Sequence, residues 1–314
     1  MKRTRFPGLI DIVQVSNPED IRELVRHRQV DRRFDGRWPL LNGFLLGRVL
    51  RALSLHGRRL PTLRSRDDQD RNVGQESLWE KLNDRAASLT ATNPDVQLLA
   101  HWLHGLGNDS ELGILTQQAV GRLFVASYTA DSASWEAALI LNAAPNAKGI
   151  AAFSPRFKRR VKMAKQMLAD KVNGDLAGLH GTGVALHNLV KGFHRMRLLY
   201  SDISRRSEWT HEAIGKECLF APTVVLRQAT AASEQSECPY HKNTVFLLEL
   251  GSAQRHSDAK DMVFLNETWS RCPAEKWVPA LLEAVWKCAC DIGAEPLRGS
   301  ISQPAHGRSQ TETV

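Results

Sequence analysis

At 314 residues with 42% apolar side chains, the chain is long enough to bury a sizeable core and too apolar to be disordered. Its net charge of +8 favours an acidic partner (nucleic acid, anionic lipid, a carboxylate substrate or an acidic redox protein), and five scattered cysteines exclude a disulfide-stapled scaffold and a paired-cysteine zinc fold. No run approaches the roughly 18 apolar residues of a membrane span, and Asp11 and Gln14 interrupt the opening apolar stretch before it can act as a signal peptide, so a cytoplasmic protein without a transmembrane segment is expected.

In chain order, Leu9 to Val15 alternates as a strand and leads through Ser16-Asn17-Pro18 into a helix. Ser16 or Asn17 is the candidate cap, Pro18 sits near the first helical position, and Glu19 and Asp20 suit the positive helix end. Residues 38–56 carry Leu40, Leu41, Phe44, Leu45, Val49 and Leu53 at helical spacing, followed by a basic polar loop over 57–74. Further helices are expected at 76–89, 94–106, 110–125 and 132–142, then a long helical pattern over 158–200 with a break near Asn173-Gly174. "RFKRRVKMAK" (156–165) packs six cations into the start of that pattern. "TVVLRQA" and "NTVFLLEL" read as short strands, and the tail over 294–314 has the composition of a disordered segment behind a single domain over 1–293.

Cys272 precedes Pro273 and an amphipathic run with Val278, Leu281, Leu282 and Val285 on one face. With Pro273 at the first helical position, the thiol would feel the positive helix end, which favours thiolate and suits a nucleophile or a metal ligand. The alternative is a small buried hydrophobe, the commonest state of a free cysteine.

Five segments carry a resemblance, and they occur in a telling order: "VQVSNPEDIRELVRH", "DLAGLHGTGVALHNLVKGF", "HEAIGKECLFAPTVVLRQA", "CPYHKNTVFLLEL" and "MVFLNETWSRCPAEKWVPALLEAVW". Taken together they resemble the opening strand and helix, central distal helix, Glu-x-x-Arg helix with its following strand, late hairpin, and cysteine loop of the cytochromes P450. The resemblance implies a mainly α fold with small β-sheets, P450-like and shortened, with the loss mostly between residues 85 and 175. It implies haem b as cofactor, Cys272 as the iron ligand, and Arg227 as the arginine that pairs with a haem propionate. Glu217 matches the glutamate of Glu-x-x-Arg, while Phe220 stands where its arginine belongs. In the cysteine loop Leu265, Thr268 and Ala274 replace the usual Phe, Gly and Gly.

On the central segment, Gly183 and Val184 replace the family's acid-alcohol pair, which argues against the ordinary proton relay. Family branches without that pair use a substrate hydroperoxide or a peroxide, so the resemblance implies a peroxygenase or a hydroperoxide isomerase or dehydratase. A lipophilic, carboxylated small molecule is the expected substrate, with His180 and Thr182 near the distal face and His180 as proton carrier. A partner protein that completes a trimmed pocket is a further expectation. Two other readings stay open: a haem-free scaffold or partner subunit on the same fold, and a basic nucleic-acid binder using 156–165, the latter disfavoured because no recognised motif accompanies the cluster.

Overall fold

The computed structural model describes residues 1–105, 107–147, 154–204, 206–233, 239–256, 259–266 and 268–294. The chain opens with a hairpin of β1 (Lys2–Phe6) and β2 (Ile10–Val15), whose registers pair Lys2 with Gln14 and Phe6 with Ile10. The first strand was not legible from alternation, because KRTRF has no inward apolar set and stays largely exposed. Asn17 then caps α1 (Pro18–Arg26), accepting the N–H groups of Glu19 and Asp20 at 2.8 and 3.2 Å.

There follow β3 (Val30–Asp31), α2 (Leu40–Ala52), a minimal hairpin of β4 (Ser54–Leu55) and β5 (Arg58–Arg59), and α3 (Gln69–Ala87). The last begins seven residues earlier than the apolar pattern suggests, because the Asp68 side chain accepts the Arg71 N–H and starts the helix there. Next come α4 (Pro94–Leu103), α5 (Asp109–Gly121), α6 (Ser132–Ala143) and α7 (Pro155–Lys171). These four helices stand where the apolar spacing placed them, and α6 packs against α7.

Asn173 and Gly174 both take positive φ, 55° and 76°, and this left-handed pair ends α7 and turns the chain into α8 (Leu176–His180). A π-helical turn at Gly181–Ala185 carries α8 on into α9 (Leu186–Ser201). The remainder is α10 (His211–Glu217), β6 (Val225–Ala229), β7 (Val245–Leu248), α11 (Leu250–Ala253), α12 (Ala259–Phe264) and α13 (Trp277–Ala294). Cys238, the expected tail after 294 and the second half of the Pro/Gly/Ala link before α7 lie outside the described residues.

Five strands form one sheet in the order β1-β2-β7-β6-β3, antiparallel except for the β2–β7 pair. Two cores meet along it. Val13 and Val15 of β2 pack with Ile21, Leu24 and Val25 of α1 and with Phe246 and Leu248 of β7. The larger core joins α4, α5, α6, α9 and α13 through Trp102, Leu112, Leu141, Phe193, Leu282 and Trp286. The seam between sheet and helices is polar: buried Asp11 accepts from Arg3 Nε at 3.1 Å and from Thr244 Oγ1 at 2.8 Å. Asn42 of α2, fully buried, bonds both Asp11 backbone groups, at 3.2 and 2.8 Å.

Asn42→Ala strands that buried N–H and C=O, so it is expected to lower the unfolding free energy by about 2–3 kcal/mol. Urea unfolding against wild type checks this, and a change below the error of the fit would show that α2 is held by its apolar stripe alone.

Candidate functional site

Cys272 lies in a loop between α12 and α13 that is knotted by its own polar groups. Thr268 Oγ1 donates to Leu265 O at 2.7 Å, Arg271 N–H donates to Thr268 O at 3.2 Å, and Cys272 N–H donates to Phe264 O at 2.7 Å. Leu265 enters the loop with φ of 50°, a left-handed corner. The helix begins at Trp277, four residues beyond the position expected for Pro273, because 273–276 form turns. Those turns aim the Ala274 N–H at the thiol. Burial outweighs that bond and pushes the Cys272 thiol up, opposite to the effect expected of a helix end, so the sulfur is a thiol until a cation binds it. Among the described residues no three His, Cys, Asp or Glu side chains gather as metal ligands, so Cys272 is a lone donor.

Three residues before it, the Trp269 ring sits inside a cage of guanidinium groups. Arg32, Arg66, Arg71 and Arg227 lie 4.9, 5.0, 4.9 and 5.6 Å from its centroid. Arg227, on β6, is 1% exposed and donates to Ser270 Oγ at 3.0 Å, while its Nε has no partner. Arg71 donates to Trp269 O at 2.6 Å, and Arg66 to His27 O at 3.0 Å. The Nε atoms of Arg32 and Arg66 are buried without partners as well. Two carboxylates act on the cage, Asp31 on Arg32, Arg71 and Arg227, and Asp68 on Arg71. Arg33 and Arg64 draw on the same two acids, at 3.7 and 3.9 Å, so the cage is left net positive. Burial pushes Arg227 down to about 9, with Arg71 and Arg66 adding to the strain. A guanidinium with this value still keeps its proton at neutral pH, so Arg227 is a buried cation.

Arg32 bears electrostatically on both Cys272 and His180 and thereby links the cysteine loop to the end of α8. His180 Nδ1 is buried without a hydrogen-bond partner. Burial, with Arg32 adding to it, pushes this imidazole down to about 4, so it is neutral at pH 7. Thr182 is brought beside it in the chain but is differently placed: its hydroxyl donates to Gly178 O at 2.8 Å and its carbonyl accepts from Gln117 Nε2 at 2.9 Å. The π-helical turn around it follows from close packing, since a Cβ on Gly183 would meet Leu141 Cδ1 at 2.9 Å and Leu168 Cδ1 at 3.0 Å. Glu217 is away from the site, paired with Arg195 of α9 through a bond to Nε at 3.1 Å.

Sequence patterns singled out Cys272, Arg227, His180 and Thr182 but missed Arg32, Arg66, Arg71 and Trp269. The available signal was compositional: from Arg28 to Arg71 every cation is arginine and none is lysine, the bias of a carboxylate-gripping surface. The basic cluster falls outside the site: the α7 cations Arg156, Lys158, Arg159 and Lys162 face solvent.

No family model and no curated protein matches the sequence. Solved structures do match. The tirandamycin C-bound P450 monooxygenase TamI aligns over 92% of this chain and 86% of its own, with TM-score 0.63 and 13% identity. A point variant of cytochrome P450 OleT in complex with arachidonic acid aligns over 91% and 82%, at 0.58 and 12%. P450BioI in complex with hexadec-9Z-enoic acid ligated acyl carrier protein aligns over 94% and 87%, at 0.58 and 14%. The fold is that of the cytochromes P450.

Because His180 is neutral when folded, the unfolded chain binds a proton there that the native one refuses between pH 6.5 and about 4. The stability this group contributes is present above pH 6.5 and lost as pH falls through that window. His180→Gln is expected to remove roughly 2–3 kcal/mol of the decline across it. Urea midpoints measured from pH 7 to 4 check this, and an unaltered decline would mean that the imidazole is as wet as a free histidine.

Proposed function

We propose that this chain is a haem-thiolate enzyme, with haem b held by Cys272 and used with a peroxide or a substrate hydroperoxide on a lipophilic, carboxylated substrate. The observation that carries the reading is the neighbourhood of the half-buried Cys272 thiol and a net positive arginine cage around Trp269. The donor set suits that group: a soft sulfur for iron, and guanidinium forks with three orphaned Nε atoms for two carboxylates. Bound there, haem would supply redox chemistry at iron.

The chain's own residues have separable parts in this reading. Cys272 would bind iron as thiolate, and the Ala274 N–H would hold the sulfur's charge. Arg227, Arg32 and Arg66, whose Nε atoms lack partners, would grip carboxylates, and Arg227 would keep its bond to Ser270, the residue that stands two before the cysteine. His180 offers a neutral imidazole with Nδ1 available to hold or pass a proton. Thr182 keeps its hydroxyl on Gly178 O, so it supports the helix turn that presents His180, and proton movement falls to His180. The absence of an acid-alcohol pair at Gly183-Val184 favours peroxide over dioxygen. The fatty-acid ligands named for OleT and P450BioI support a lipophilic carboxylate as substrate, and the acyl carrier protein named for the latter supports a carrier-bound form of it.

A haem-free scaffold on the same fold is the second reading. It is favoured by Phe220 standing where the Glu-x-x-Arg arginine belongs, with Glu217 paired to Arg195 instead.

Hemin-reconstituted protein, reduced under carbon monoxide, is expected to show the red-shifted Soret band of thiolate ligation, and Cys272→Ala to lose it while staying folded by circular dichroism. An identical band in the variant would refute the ligand assignment, and failure of the wild type to take up hemin would favour the scaffold. Arg227→Met, which removes the most deeply buried fork, is expected to weaken hemin affinity by roughly tenfold or more at unchanged band position. A titration of the Soret absorbance reads the affinity, and equal affinity would place the carboxylates elsewhere.

A further inference from the structure

The α2 helix is apolar well beyond the stripe it buries. Asn42, Leu46, Val49 and Leu53 point into the protein, while Leu40 and Phe44, one turn apart on the opposite side, are 58% and 57% exposed. A helix apolar on both sides ordinarily has something on both sides. The hairpin tip extends the outer side. Leu40 N–H donates to Gly8 O at 3.1 Å and Leu41 N–H to Leu9 O at 2.8 Å, which fastens the tip to the start of α2. Phe6 (61%), Leu9 and Leu41 are thereby exposed beside Leu40 and Phe44. These five large side chains come from two segments that are far apart in sequence and joined by backbone bonds, so they are not isolated surface residues of the ordinary kind.

Their rim is cationic. Lys2 and Arg5 on β1, Arg37 before α2 and Arg51 near its end are all exposed, and α2 contains no acidic residue. Arg51 follows Phe44 on the same outward line of the helix, seven residues on. An apolar patch with arginines at its border fits the boundary of an anionic bilayer, where rings and leucines enter the acyl region and guanidinium groups stay among the headgroups. An acidic protein would leave the apolar centre unanswered, and a neutral apolar partner would leave the rim so. No helix among the described residues is long and apolar enough to cross a membrane, so such contact is peripheral. We propose that the α2 face and the β1–β2 hairpin tip seat this protein on anionic lipid surfaces. The inference is independent of the haem reading, because every residue in it lies outside the cysteine loop and the arginine cage.

Co-sedimentation of the full chain with phosphatidylcholine vesicles, with and without about one-third phosphatidylglycerol, tests it. Wild type is expected to bind the anionic vesicles and release with added salt. Leu40→Ser with Phe44→Ser, and separately Arg5→Glu with Arg37→Glu, are each expected to weaken binding by roughly tenfold or more. Leu198→Ser, at a 68% exposed site on α9, is the control and should bind like wild type. No vesicle binding by wild type overturns the proposal, as does equal loss in the Leu198 variant. So does a stable dimer, by light scattering, that the Leu40/Phe44 variant splits without any lipid effect, since a second copy would then cover the patch. Running colourless and hemin-treated protein side by side separates this outcome from failure of the haem reading.

Discussion

Four guanidinium groups packed around one indole set the electrostatic condition that the rest of this structure has to meet. Cations drawn out of water lose hydration that neighbours of like charge cannot return, and the aromatic face of Trp269 offsets only part of that loss. Asp31 does the most to keep the cage together. It accepts from Arg32 N–H at 2.6 Å, Ser65 Oγ at 2.6 Å and Arg66 N–H at 3.0 Å, which ties β3 to the segment before α3. Yet one carboxylate divided among so many donors cannot balance them, and Asp68 reaches chiefly Arg71. The cage therefore keeps a net positive charge in the interior.

The fold brings that site to the cysteine. The sheet places Arg227 on β6 and Arg32 directly after β3, strands that pair with each other through Asp31 and Gln228. α3 supplies Arg71 from its first turn, which is why the early start of that helix at Gln69 matters more than its apolar stripe. The cysteine loop closes over the cage through Trp269, whose Nε1–H donates to Val25 O at 3.0 Å. On the other side α8 ends at His180, and Gly183 in the π-helical turn fits closely against Leu141 of α6 and Leu168 of α7. Thiol, cage and neutral imidazole are therefore held by different elements and share Arg32 as their common neighbour.

Much of the fold was legible in the sequence where a single period dominates. The break at Asn173-Gly174, the Asn17 cap and the strands around Arg227 and Val245 follow from local chemistry and stand as expected. The hairpin strand β1 was hidden because Lys2, Arg5 and Phe6 all face solvent and leave no alternation. The helices between 94 and 171 were legible from apolar spacing and local caps, with Asn93, Asn108, Asp131 and Ser154 fixing their starts. Within the site, Cys272 and Arg227 stand out by motif, but Arg66 and Arg71 sit in a stretch that reads as polar surface, and only tertiary folding turns it inward. The thiol's environment also inverted: a helix end was expected to favour thiolate, but the turns at 273–276 move the helix away and burial dominates.

The claim that the arginine cage grips carboxylates can be met directly by thermal unfolding in the presence of hemin and of hemin dimethyl ester, which carry the same iron and ring and differ in two negative charges. Hemin is expected to raise the unfolding midpoint clearly, and the ester to raise it far less, because only the free carboxylates answer Arg227, Arg32 and Arg66. An equal rise with both would contradict the account, since the ring and the iron alone would then explain binding and the cage would have no anion to wait for.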